Sequence, residues 1–122
     1  MARIAKMSRT YQPGLMVVDR TVSGEFENYV TPEQTIPNEP LPYPWESCIT
    51  MGNSWSYVPN DTYKSANDLV HMLVKIVSRG GNFLLNIGPS PNGDFSDTAI
   101  RHIEREMDID ELKLNTQLPK EE

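Results

Sequence analysis

The spacing of apolar residues changes several times along this chain. Ile4 and Met7 lie three apart in a mixed stretch, which predicts the tail of a helix stopped by Pro13-Gly14. Leu15-Met-Val-Val18 is a short β-branched run ending in Asp19-Arg20. A continuous apolar run bounded by turn residues predicts a buried, parallel-type strand. Trp45 to Met51 predicts a second strand, closed by Gly52-Asn53. Ser65-Ala-Asn-Asp68 is a capping pattern, in which the side chains of the first and fourth residues satisfy amides of the opening turn. Leu69, Met72, Leu73, Ile76 and Val77 follow in one helical stripe. Gly80-Gly81 ends it, since glycine accepts the left-handed cap. Phe83-Leu-Leu-Asn-Ile87 predicts a third strand, followed by the turn-rich Gly88 to Gly93. From Thr98 a further helix carries Ile100, Ile103 and Met107 on one face.

Between the first two strands, residues 21–44 read as a long loop. Pro32, Pro37, Pro40, Pro42 and Pro44 exclude a helix or a central strand there. Phe26, Tyr29, Tyr43 and Trp45 argue that the loop is ordered and packed. Strands alternating with helices define an α/β class built from parallel units with right-handed crossovers. In such sheets chemistry gathers at the carboxyl ends of the strands. At 122 residues the chain is at most one domain. A closed (β/α)₈ barrel needs about 250 residues, so the chain can hold only part of one.

Charge removes further classes. The net charge of −6 and pI of 4.9 come without a basic cluster, which argues against nucleic acid or an anionic membrane as partner. No apolar run approaches the roughly 18 residues of a membrane span, and the first residues do not read as a signal peptide. With Cys48 alone, no internal disulfide can form. With His71 and His102 the only histidines, no metal site is expected, nor any cofactor. Residues 101–122 carry eleven charges and are expected to fray as a divergent, partly helical tail.

Candidate chemistry concentrates in the loops. Glu25, Glu27 and Glu33 share the first loop with Arg20. Burial or a neighbouring charge there could tune a carboxyl group for proton transfer; solvated surface glutamates are the alternative. Trp45 and Trp55 flank the second strand and could stack on a sugar face or simply pack. Cys48 reads as a small buried hydrophobe, His71 as a packed or surface residue, and Asn92–Asp97 as a turn rather than a calcium loop. Asn60-Asp61-Thr62 is a formal glycosylation sequon.

Five blocks together resemble one family. They are Tyr11-Gln-Pro-Gly-Leu-Met-Val-Val-Asp-Arg20, Thr31-Pro-Glu-Gln34, Pro42-Tyr-Pro-Trp-Glu-Ser-Cys-Ile-Thr-Met51, Asn53-Ser-Trp-Ser-Tyr57 and Gly80-Gly-Asn-Phe-Leu-Leu-Asn-Ile-Gly-Pro89. In this order they are similar to the α-L-fucosidases of glycoside hydrolase family 29, over about residues 3–100. The resemblance implies a retaining exo-glycosidase that releases terminal α-linked L-fucose from an oligosaccharide or glycoconjugate. It implies that residues 1–100 hold the last three strands, with their helices, of an incomplete (β/α)₈-like (TIM-type) barrel. By position, Glu33 matches the general acid/base, with Glu27 as second candidate. Arg20 matches a fucose-contacting arginine and Trp55 the aromatic against the sugar ring, with Trp45 a weaker substrate-binding candidate. The aspartate nucleophile of the family is expected upstream of residue 1, so the isolated chain is expected to be inactive; the alternative is a non-catalytic remnant that binds sugar or a partner chain. Bacterial relatives tend to be exported, which makes a secreted or periplasmic parent protein the expectation.

Overall fold

A computed structural model describes residues 2–20 and 24–104. In chain order it contains α1 (Ala2–Tyr11), β1 (Glu46–Thr50), α2 (Ala66–Ser78), β2 (Asn82–Asn86) and α3 (Asp97–Glu104). The fold is α/β. β1 and β2 pair in parallel with Cys48 opposite Leu84 and Thr50 opposite Asn86, and α2 makes the crossover between them.

Each element has a local cause. α1 stops before Pro13, and Arg9 from its last turn donates to the carbonyls of Leu15 and Phe26 and to Asn28 Oδ1, tying the helix to the loop that follows. α2 opens as expected: Ser65 Oγ accepts from the Asp68 amide at 3.1 Å and donates to the Asp68 carboxylate at 2.8 Å. It closes at Gly80, whose φ of +76° is the left-handed cap.

Strand alternation divides the sheet into two faces. Trp45, Ile49 and Met51, with Phe83, Leu85 and Ile87, face the helices. They pack in two clusters around Ile76 and around Leu69 with Ala99. The other face carries Cys48, Thr50, Leu84 and Asn86. Cys48 and Thr50 are buried, whereas Leu84 is 44% exposed, so this face has only part of a cover.

The expected strand at Leu15–Val18 does not form. The segment makes one isolated parallel bridge, Val18 to Tyr29, and all four residues remain half-buried or exposed. Its apolar side chains lack the flanking layers that a doubly buried strand requires. Conversely, part of the proline-rich loop is less irregular than its composition suggests. Residues 30–34 run parallel to β1 through bridges Val30–Trp45 and Glu33–Cys48, with Glu46 N donating to Val30 O and Cys48 N to Pro32 O. Pro32 is tolerated because only its carbonyl is needed on this edge. The expectation for the tail beyond residue 104, Met107 included, lies outside the described residues.

Candidate active site

The loop that follows Leu15–Val18 and the edge segment 30–34 bring two charged side chains together. Arg20 Nη1 lies 3.0 Å from Glu33 Oε2 in an ion pair, with the side chains 42% and 52% exposed. Asp19 sets the spacing: its Oδ1 accepts from both the amide and the hydroxyl of Thr31, at 2.9 and 2.8 Å. With Asp19 bound to Thr31, the next residue, Arg20, reaches across to Glu33. The Arg20 guanidinium is held above its already high pKa, first by Cys48, against desolvation by burial, with smaller contributions from the carboxylates of Glu33 and Asp19. It is therefore a permanent cation, suited to hold a hydroxyl or a carboxylate through its fixed fork of donors.

Cys48 also belongs to the wall of an open pocket of about 360 Å³, lined further by Trp55, Leu84, Leu85, Asn86, Ile87 and Phe95. Trp55 is 40% exposed, so its indole offers a face to a bound molecule. Gly88 allows this. A Cβ there would come within 2.6 Å of the Ser56 carbonyl carbon and the Tyr57 amide, so the loop carrying Trp55 can lie directly on the end of β2 only because residue 88 has no side chain. Asn86 Oδ1 is buried without a hydrogen-bond partner among the described residues. An aromatic wall, a cation and a buried acceptor suit a ligand with an apolar face and several hydroxyl groups.

The structure thus brings together Arg20 and Glu33, and Glu33 is bridged to Cys48, which lines the pocket of Trp55. Glu27 lies elsewhere in the loop, where its Oε2 accepts from the Gly24 amide at 2.8 Å. Trp45 is corrected from a sugar-stacking candidate to a core residue. It is 2% exposed, its ring packs with Ile49 and Ile76, and Gly81 lies against it. His71 is exposed, and no group of His, Cys, Asp and Glu side chains that could hold a metal occurs among the described residues.

Three residues that the sequence does not single out for chemistry take part in this arrangement: Asp19, Gln34 and Asn86. For Asn86 a signal existed: strand alternation puts it on the same face as Leu84 and Cys48. For Gln34 there was none.

The sequence profile of the alpha-L-fucosidase family matches residues 1–107. The chain belongs to the alpha-L-fucosidase family. It is 39% identical to the plasma alpha-L-fucosidase of Homo sapiens over 72 residues, 56% of this chain and 15% of that protein. Among solved structures, it resembles alpha-L-fucosidase isoenzyme 1 from Paenibacillus thiaminolyticus with a TM-score of 0.77 at 29% identity, covering 85% of this chain and 28% of that one. It also resembles the alpha-fucosidase of Thermotoga maritima in complex with fucose, with a TM-score of 0.65 at 30% identity, covering 80% and 22%. The chain therefore spans 15% to 28% of the length of these relatives.

Proposed function

We propose that these residues are the acid/base-bearing part of a retaining exo-α-L-fucosidase, acting on terminal α-linked fucose of an oligosaccharide or glycoconjugate. The observation that carries this reading is the Arg20–Glu33 pair, with Glu33 bridged to Cys48, which lines the pocket of Trp55. In this reading the sheet is part of a (β/α)₈-like barrel. Its half-covered face, with Cys48, Thr50, Leu84 and Asn86, looks into the barrel, and the nucleophilic aspartate comes from sequence outside these 122 residues.

Retaining hydrolysis uses two carboxyl groups about 5–5.5 Å apart: one attacks the anomeric carbon, and the other protonates the departing oxygen and then activates water. Glu33 takes the second role. Its half-exposed side chain on the loop edge can reach the departing oxygen of a bound fucoside. For Glu33 to donate a proton, its contact with Arg20 must open. A sugar hydroxyl that takes over Arg20 would open it, so binding and acid catalysis are coupled through that guanidinium. Trp55 supplies the apolar wall, matching the hydrophobic face and methyl group of a 6-deoxy sugar.

The test is a series of aryl α-L-fucosides of graded leaving-group pKa, assayed on the whole enzyme with Glu33→Gln and with Glu27→Gln. Glu33→Gln should lower kcat/KM for poor leaving groups by about 10²-fold or more and spare activated ones, since only the former need the proton. The same pattern in Glu27→Gln, with Glu33→Gln near wild type, would move the role to Glu27.

A further inference from the structure

We infer that Gln34 is a positioning residue for Glu33, with its side-chain amide standing in for a missing rung of the sheet. This deepens the reading above and rests on it. Residues 30–34 follow β1 as a parallel edge. Glu46 N donates to Val30 O at 2.9 Å, Cys48 N to Pro32 O at 3.1 Å, and Gln34 N to Cys48 O at 2.9 Å. Continuing that pattern would bring the Gln34 carbonyl to the Thr50 amide. Instead the backbone turns at Gln34 with φ +53°, a left-handed conformation that non-glycine residues seldom adopt.

The side chain fills the gap that the turn leaves. Gln34 Oε1 accepts a long 3.4 Å bond from the Thr50 amide, and Gln34 Nε2 donates to Thr50 Oγ1 at 3.1 Å. Thr50 Oγ1 in turn donates a hydrogen bond to Gly52 O at 2.8 Å, so the chain of bonds runs on past the carboxyl end of β1. Thr50 is buried, which makes this anchor rigid. Glu33 is thereby held on both sides: Pro32 is tied to the Cys48 amide, and Gln34 to the Cys48 carbonyl and to Thr50. A strained turn directly after the proposed acid/base group, bridged by a two-atom side-chain clamp, marks a place where conformation is fixed at a cost. The clamp sets where the Glu33 carboxylate lies relative to Arg20 and the pocket. Gln34 touches no substrate in this role; it acts through Glu33.

The experiment compares Gln34→Gly, Thr50→Val and Thr50→Ser in the whole enzyme. Glycine accepts φ +53° without strain, so Gln34→Gly removes the clamp while easing the backbone. Gln34→Gly and Thr50→Val should lower kcat/KM about tenfold or more for fucosides with poor leaving groups, within threefold for activated ones, with KM little changed. Thr50→Ser, which keeps the hydroxyl, should behave as wild type. Hydrogen exchange supplies a second readout: the Gln34 amide should exchange about tenfold faster in Gln34→Gly while the Ile49 amide is unchanged. Equal losses for every leaving group would mean a merely structural role. Unchanged exchange at residue 34 would overturn the clamp even if the wild-type protein hydrolysed no fucoside, a result that would separately refute the fucosidase reading.

Discussion

Two tryptophans ten residues apart have opposite roles, and burial separates them. Trp45 is sealed between β1 and α2, with Nε1 donating to the Arg79 carbonyl at 3.4 Å, and only glycine fits at position 81 beside its ring. Trp55 stands on a loop with its indole open to the pocket. Trp45→Ala should therefore cost about 3–5 kcal/mol of stability in the whole protein, read as a fall in denaturant midpoint, because the emptied volume is enclosed. Trp55→Ala should leave the midpoint nearly unchanged and weaken fucose binding by about tenfold, as expected for loss of one aromatic wall of a half-open site. Comparable midpoint shifts in both variants would contradict this division. The sequence placed both residues next to a strand and could not separate them. Their difference depends on which face of the sheet each occupies and on Gly81 and Gly88, contacts that arise only when distant segments meet.

Among the elements, α2 and the paired strands were legible because their signals are local. The apolar stripe, the Ser65 cap and Gly80 each act within one or two turns of the helix, and together they specify its ends. Ser65→Ala should cost about 1 kcal/mol and Gly80→Ala about 1–2 kcal/mol, the second because φ +76° places a Cβ against its own backbone. Both would be measured by thermal or denaturant unfolding of the whole protein, and a neutral Gly80→Ala would contradict the cap. Leu15–Val18 misled for the complementary reason. Its composition is that of a strand, but a strand forms only where partners supply hydrogen bonds and cover, and here the partner is a single bridge to Tyr29. The segment 30–34 misled in the opposite direction, since proline content hides an edge on which just a few carbonyls and amides are used. Glu33 lies on that edge. Its proposed role is suggested by the Thr31-Pro-Glu-Gln34 block, whereas its pairing with Arg20 and the support from Asp19 and Gln34 need the fold.

At the scale of the molecule, a parallel sheet with helices on one face leaves the other face to be completed. Leu84 and Phe95 stand about half exposed there, and the buried Asn86 Oδ1 has no partner among the described residues. The barrel proposed above would cover all three, since apolar and polar groups on that face would then meet side chains of further strands and the bound sugar. The candidate site lies beside this half-covered face, and the proposed reading makes these residues one wall of a catalytic barrel. The account stands on Glu33 being the proton donor of a double displacement on fucose. Adding azide to Glu33→Gln in the whole enzyme, with an activated aryl α-L-fucoside, tests that most directly. The covalent intermediate should then be captured without base assistance, kcat should rise with azide concentration, and NMR should identify α-L-fucosyl azide, the product of two successive inversions. No rate increase, or a β-configured azide, would contradict it.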